Sequence, residues 1–313
     1  LHIAPAPNGY DARPMNPSEL SELLLAADSR ERWVDGIAAY FSAYPLCYGH
    51  GTERAEDEAW WLVWQLSGTP ADLAALPPDD TLVTRLVAIA RRRVEERLPL
   101  GYLLGVAWFG GLEFRVTPDV LIPRSPMAEI LEQGFSPWLE LAEGDRILDV
   151  GTGSGCIAIA AAVHNPGIHV DATEISPAAL TVARENLARH GVGDRVRLIE
   201  ADLFPRGATR YRVIMSNPPY VPSAEVAVLP PEYRHEPGSA LDGGVDGLDP
   251  ARRLLAGAGS RLTDDGVLIV EVGGSAAALE AAYPKIPWTW LEFERGGDGV
   301  FLLSADELKN GWR

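Results

Sequence analysis

RILDVGTGSGCIAIAAAVH, residues 146–164, decides the fold. A short apolar run, RILDV, meets glycines at 151, 153 and 155 and then an unbroken stretch of small apolar residues. The run reads as a buried strand and the stretch after it as a buried helix. Glycines between them let the backbone approach a ligand closely, and the start of the helix offers free N–H groups. A dinucleotide-binding fingerprint places its third glycine one residue further on, where Cys156 stands, so the spacing disfavours a pyrophosphate cofactor. Without a ligand, the same loop is a tight strand-to-helix turn.

Outward from that loop the pattern repeats. IHVDAT (168–173), RVRLI (195–199), YRVIM (211–215), GVLIVEV (266–272) and GVFLL (299–303) are further short apolar strands. Helical stretches lie between most of them. Ser176-Pro177 opens one as N-cap and first-turn proline, and Gly191 closes it. Asp249-Pro250 opens another in the same way. Strand alternating with helix means a parallel, doubly wound α/β sheet with ligands at the carboxyl ends of its strands.

Upstream the period is different. Residues 1–17 are proline-rich and read as a loose arm. From about residue 18 to 98 the pattern is helical. Trp33, Ile37, Tyr40, Phe41 and Tyr44 fall on one face. Thr52 reads as the N-cap of a helix whose first turn is acidic, ERAEDE, before AWWLVWQL. Leu82, Leu86, Ile89, Ala90 and Val94 mark a third helix, stopped near Pro99. The triplet Arg91-Arg92-Arg93 beside Glu95-Glu96 reads as its solvated face. AWFGGLEFRV (107–116) is a hairpin turning on Gly110-Gly111. The expected division is a helical domain over 1–105, a hairpin linker over 106–128 and an α/β domain over 129–313.

The chain of 313 residues carries a net charge of −17. Both halves are acidic. Such a surface repels a phosphate backbone and attracts a basic protein, so stable nucleic-acid binding is not expected. Cys47 and Cys156 match no metal spacing and no disulfide framework. No run of about 18 apolar residues occurs, and no early stretch has the form of a secretory leader, so the expected setting is the cytoplasm, with no membrane contact. The scattered histidines have no ligand spacing, and no metal is expected.

Strand ends carry the candidate chemistry. Glu174 ends the second strand, where an acid accepts hydrogen bonds from ribose hydroxyls. Asp202 follows the third; it either takes an exocyclic amino hydrogen of adenine, with Leu203 against the ring, or caps a turn. The fourth strand runs into SNPPYVP, residues 216–222. The Asn217 side-chain oxygen and the Pro218 carbonyl can each accept one N–H of a planar –NH2 group. Pro218 and Pro219 hold those directions rigidly, and Tyr220 can pack on the planar group. GGVDGLD (243–249) follows no strand and reads as a loop over the site.

Glycine loop, ribose acid, adenine acid and NPPY together resemble the class I S-adenosylmethionine-dependent methyltransferases, with a Rossmann-like sheet. NPPY is the form found in enzymes that methylate planar nitrogens. RLPLGYLLGVAWFGGLEFRVTPDVLIPRSPMAEIL, residues 97–131, resembles the protein N(5)-glutamine methyltransferases, which join a helical substrate-recognition domain to the catalytic domain through this hairpin. The likeness covers nearly all of residues 20–313. Where the release-factor branch carries a "PRPDTE"-like string, this chain has Pro123-Arg124-Ser125-Pro126-Met127-Ala128-Glu129. With FSPWL and LPPEYRHEPGSALDGGVDGLD (229–249), it is similar to the PrmB branch. The resemblance implies S-adenosyl-L-methionine as cofactor and, as substrate, a glutamine of the basic large-subunit ribosomal protein L-three. It implies a cofactor set of Asp149, Gly151, Thr152, Gly153, Ser154, Gly155, Glu174, Asp202, Leu203 and Asn217. The implied glutamine clamp is Asn217, Pro218, Pro219 and Tyr220. Phe109 falls where a hairpin aromatic lines the glutamine pocket, and otherwise is core. The other readings are methylation of release factors, amino-methylation of a nucleic-acid base, and a non-catalytic assembly factor.

Overall fold

The computed structural model describes residues 14–68 and 80–311. Most of the loose arm lies outside them. Two compact units emerge: one takes the described residues up to Val106 together with Pro230–His235, the other Ala107–Leu229 and Glu236–Arg313.

The first unit is built of α1 (Pro17–Ala26), α2 (Arg30–Ser42), α3 (Ala55–Ser67), α4 (Asp80–Glu95) and the short α5 (Leu100–Leu104). Asn16 and Glu19 close a capping box on α1, each side chain accepting from the other's backbone N–H. Leu20, Leu24, Trp33, Ile37, Phe41, Leu62 and Leu86 fill the core. Two expectations need correction. Thr52 is not the cap of α3: the cap position is Arg54, without a side-chain bond, and Glu56, Asp57 and Glu58 supply the first turn with negative charge instead. Arg93 does not belong to the solvated face. Arg91 and Arg92 are exposed and pair with Glu95 and Glu96, but Arg93 is completely buried. Its position follows from helical spacing, since it lies three residues from Ala90 and seven from Leu86 on the face that packs inward. Its guanidinium donates to Glu58 Oε2 and Oε1 at 2.7 and 3.1 Å, to the Cys47 carbonyl at 2.8 Å and to Glu232 Oε1 at 3.2 Å. Arg97 completes the network with a two-pronged bond to Glu232 at 2.6 and 2.9 Å. Glu232 sits in a 3-10 turn, Pro231–His235. That stretch falls within the expected α/β domain, 129–313, but groups with the helical unit.

The second unit opens with the hairpin β1 (Val106–Phe109) and β2 (Leu112–Arg115). Gly110 and Gly111 both have positive φ, +55° and +71°, the combination a two-residue hairpin turn requires. Then follow α6 (Met127–Glu132), β3 (Arg146–Val150), α7 (Cys156–His164), β4 (His169–Glu174), α8 (Pro177–His190), β5 (Val196–Glu200), β6 (Tyr211–Ser216), α9 (Ser223–Val226), α10 (Asp249–Ala258), β7 (Leu262–Glu271), α11 (Ala276–Ala282), β8 (Thr289–Trp290), β9 (Val300–Ser304) and α12 (Ala305–Gly311). Strand order in the sheet is β5-β4-β3-β6-β7-β9-β8. β3 to β7 are parallel, as the alternation predicts, while β9 runs antiparallel to β7 and β8 antiparallel to β9. The sheet is therefore mixed at one edge. Between β7 and β9 lie α11 and β8, which the pattern of strands and helices read from the sequence does not include. β8 is two residues long and leaves no periodic signal.

Helices cover both faces, so the strands are apolar on both. Ile147, Val213 and Ile269 point to α7's side with Ile159 and Ala161; Leu148, Ile214 and Leu268 point to the other with Leu254 and Leu255. Ser176 caps α8 and Gly191 ends it in the left-handed conformation, as the sequence predicts. α10 differs from expectation. It begins at Asp249 itself, Leu248 holds the cap position without a side-chain bond, and the Asp249 carboxylate turns to Arg252 at 3.2 Å.

Candidate active site

Topology sets the location. The chain winds from β3 out to β5, then returns to lay β6 on the other side of β3. Beyond the carboxyl ends of β3 and β6 the connections diverge, which leaves a crevice there. Register puts the two key loops side by side: Val150 pairs with Ser216, so the glycine loop after β3 and Asn217 after β6 leave the sheet together. The Ser216 hydroxyl donates to the Val150 carbonyl at 2.8 Å and ties the two strand ends. Ser216 also pairs with Val270, which brings Glu271 level with Asn217 on the far side.

The glycine loop is held from below. Gly151 and Thr152 N–H groups both donate to the Thr173 carbonyl at 2.9 Å. Asn186 on α8 donates to the Ser154 carbonyl at 2.9 Å and exchanges bonds with the backbone of Arg115 on the hairpin. A Cβ on Gly151 or Gly153 would meet no atom within 4 Å, and both have positive φ. Open space therefore lies beside a strained backbone that only glycine adopts readily. Gly155, by contrast, packs tightly on Ile159 and Ala183. It is the helix-packing glycine of the three.

Asp149 is completely buried beneath the loop. Its Oδ2 accepts the Thr152 hydroxyl at 2.5 Å and the Ala158 N–H at 3.2 Å. Its Oδ1 has no hydrogen-bond partner. Burial pushes the carboxyl up to about 7, against those two bonds. Glu174 sits at the tip of β4. Gly153 N–H donates to its Oε2 at 3.0 Å, and the Ile175 and Ser176 N–H groups donate to its Oε1 at 2.8 and 2.9 Å. Three backbone bonds thus fix this carboxylate at the rim of the glycine loop.

The fourth-strand motif is held more by its backbone than by its side chains. Asn217 is half-buried, and its side-chain amide makes no hydrogen bond among the described residues. Pro218 is buried and Pro219 half-buried. The Tyr220 carbonyl accepts the Ser275 hydroxyl at 2.7 Å. A Cβ on Gly243 would lie 2.8 Å from Tyr220 Cα, and one on Gly247 would strike the Tyr220 carbonyl. The glycine-rich loop 243–247 therefore packs directly against the motif.

Three candidate residues stand differently from the rest. Asp202 is exposed and ion-paired with Arg253 of α10 at 2.7 Å. Its neighbour Leu203 takes positive φ, +63°, and its carbonyl accepts the Thr173 hydroxyl at 2.6 Å. Phe109 is buried in the core, edge-on to Phe114 with centroids 6.4 Å apart. Sequence reasoning missed Glu271 and Asn186. GVLIVEV does carry a signal for the first: an acid in an otherwise unbroken apolar run, at the sheet's ligand end. Asn186, inside α8, carries none.

A doubly wound sheet with a glycine loop and an Asn-Pro-Pro-Tyr motif at its switch point agrees with the comparison of families: residues 133–229 match the methyltransferase small domain. The protein is a methyltransferase, an enzyme of the α/β class. Its likeness to particular methyltransferases covers most of the chain. It is 44% identical over 274 residues to the ribosomal protein uL3 glutamine methyltransferase of Neisseria meningitidis serogroup B, covering 86% of this chain and 90% of that one. It is 42% identical over 275 residues to that of Bordetella pertussis, covering 85% and 92%. The chain belongs to the family of ribosomal protein uL3 glutamine methyltransferases. Among solved structures, a methyltransferase from Pyrococcus furiosus is similar at 18% identity and a TM-score of 0.45, over 72% of this chain and 99% of that one.

Proposed function

We propose that this enzyme transfers a methyl group from S-adenosylmethionine to the side-chain nitrogen of a glutamine in ribosomal protein uL3. The observation that carries the reading is the Asn217 amide, without a hydrogen bond among the described residues and level with the glycine loop. The names of the relatives supply the substrate.

The site residues fit the cofactor. Asp149 Oδ1 is a buried acceptor in want of a donor, and the open space beside Gly151 and Gly153 admits a ligand against the backbone. Glu174, fixed by three N–H groups, keeps lone pairs for a ribose diol. When bound, the cofactor supplies an electrophilic methyl on a sulfonium sulfur. The protein's own task is then to present the nitrogen. An amide nitrogen is a poor nucleophile because its lone pair is delocalised into the carbonyl. Asn217 Oδ1 and the Pro218 carbonyl each accept one of its N–H groups and so turn the lone pair toward the methyl. Tyr220 covers the amide plane. Two such bonds contribute only about 0.5–1.5 kcal/mol each in net stability, whereas alignment of reactants is worth roughly 7–11 kcal/mol. Positioning is therefore the main effect. The same arrangement needs Asp202 to leave Arg253 before it can meet an adenine amino group. The acidic surface suits a basic ribosomal protein, and two free cysteines suit the cytoplasm.

The test is a methyl-transfer assay with labelled S-adenosylmethionine, offering purified uL3, a release factor and deproteinised ribosomal RNA separately. One methyl on one glutamine of uL3 is the expected product. Label on the release factor or on RNA alone overturns the substrate. Asn217→Ala is expected to lower turnover by about 10²–10³, by analogy with removal of one oxyanion donor, with cofactor binding less affected. Full turnover in that variant would sink the clamp.

A further inference from the structure

The serine of the PRSP string and the tyrosine of NPPY lie about a hundred residues apart in sequence, and the structure joins them through one carboxylate. Glu271, the last residue of β7, is 5% exposed. Its Oε2 accepts the Ser125 hydroxyl at 2.6 Å and its Oε1 accepts the Tyr220 hydroxyl at 3.2 Å. Ser125 is itself oriented: its oxygen accepts the Met127 N–H at 3.2 Å, so its own proton is directed to Glu271. The Tyr220 ring packs closely on Gly273, where a Cβ would come within 2.6 Å of it. Main chain and phenol are thus secured separately, the first by Ser275 and the second by Glu271.

We infer that Glu271, aimed by Ser125, is a positioning residue for methyl transfer: it fixes the tilt of the Tyr220 ring that covers the target amide. The inference rests on the function proposed above. A purely architectural role fits the site poorly. A buried carboxylate whose direct partners are two neutral hydroxyls destabilises the fold relative to a neutral isostere. The Arg124 guanidinium, close enough to lower its pKa, is bonded in two-pronged fashion to Glu236 at 2.6 and 2.8 Å. Strand register, moreover, sets Glu271 level with Asn217.

Charge matters to this role. Ionised Glu271 offers acceptors to both hydroxyls; protonated, one oxygen becomes a donor and one of the two bonds must be rearranged. Burial pushes the group up to about 7, opposed by the Ser125 and Tyr220 hydroxyls and by Arg124, and supported by Asp298. Turnover is therefore expected to fall as pH drops below about 7. Asp149 titrates in the same range, so the limb that belongs to Glu271 is the one that its own substitution removes.

The experiment measures kcat, and KM for uL3 and for S-adenosylmethionine, from pH 6 to 9. It compares the natural enzyme with Glu271→Gln, Glu271→Asp, Tyr220→Phe, Ser125→Ala and the double variant Glu271→Gln/Tyr220→Phe. Glu271→Gln and Tyr220→Phe should each lower kcat about tenfold, the scale of one hydrogen bond to a charged group, with KM for S-adenosylmethionine unchanged. The double variant should be no worse than either single one, because both remove the same bond. The acidic limb should flatten in Glu271→Gln, and Glu271→Asp should recover part of kcat. Ser125→Ala should lower kcat about threefold. A double variant near a hundredfold, or an acidic limb that survives Glu271→Gln, overturns the inference. A second readout is independent of the acceptor: NMR of ring-labelled tyrosine should show faster flipping of the Tyr220 ring in Glu271→Gln with no fall in thermal midpoint, and an unaltered flip rate overturns the inference too. If methyl goes to an acceptor other than uL3 while the ring is freed as expected, the substrate reading fails and the positioning role stands.

Discussion

In the helical unit, the buried carboxylates of Glu58 and Glu232 face guanidinium groups; at the ligand end of the sheet, those of Asp149 and Glu271 are bonded to hydroxyls and, for Asp149, a backbone N–H. The consequences differ. Against the pull of burial, bonds from Arg97 and the Cys47 N–H hold Glu232 below its ordinary value. Burial drives Asp149 and Glu271 up to about 7, and their neutral donors only moderate it. Glu232, with two guanidinium groups and a backbone N–H, is compensated, whereas burial still pushes Glu58 up against its bonds from Arg93. Under-compensated charge marks a place where a ligand or a proton has still to arrive.

The largest expected effect breaks the first half of that comparison. Arg93→Met leaves Glu58 and Glu232 buried without their shared cation, and should cost about 3–5 kcal/mol in urea unfolding of the full chain. Arg92→Met, on the exposed face of the same helix, should stay within about 0.5 kcal/mol. Equal losses would mean that the buried network supports nothing. The second half is tested by pH. The folded state raises the Asp149 pKa from an ordinary carboxylate value to about 7, so folding takes up a proton between those values. Its stabilising contribution is full at acidic pH and is lost as pH rises to about 7. Asp149→Asn should remove that slope and gain on the order of 2 kcal/mol over the natural protein at pH 8, while weakening S-adenosylmethionine binding measured by calorimetry. A pH slope of stability identical to that of the natural protein would show that Asp149 is not buried in ionisable form.

How much of this was legible follows the same division. Strands β3 to β7 and β9 announce themselves because each is a short apolar run between turn residues, and the glycine loop and NPPY sit at their ends by simple chain order. Local spacing also held the clue to Arg93, which shares a helical face with Leu86 and Ala90. It was overridden because arginine beside glutamate usually means solvent, and the partners Glu58 and Glu232 are 35 and 139 residues away. Glu271 was hidden for a related reason: its meaning comes from Ser125 and Tyr220, which only the folded sheet brings to it. The antiparallel edge was not legible because strand composition does not set strand direction, and β8, two residues long, is too short to show a period.

The contrast between charged and neutral partners recurs at the starts of two helices, one from each unit, where the smallest effects are expected. α3 begins without a side-chain cap and relies on Glu56, Asp57 and Glu58 in its first turn. α8, which follows Glu174, has no acid in its first turn and relies on the neutral Ser176 hydroxyl, which accepts the Ala179 N–H at 3.2 Å. Ser176→Ala should therefore destabilise the protein by about 1 kcal/mol, and Thr52→Ala, whose hydroxyl does not reach the start of α3, by less than about 0.5 kcal/mol. Salt separates the two mechanisms. Screening weakens the interaction of exposed first-turn acids with a helix dipole but leaves a neutral cap bond nearly untouched. The Ser176→Ala loss should thus be the same at low and high ionic strength, whereas the loss in Glu56→Gln, a few tenths of a kcal/mol at low salt, should shrink as salt is added. A Ser176→Ala loss that fades with salt would show that α8 too is held at its start by charge.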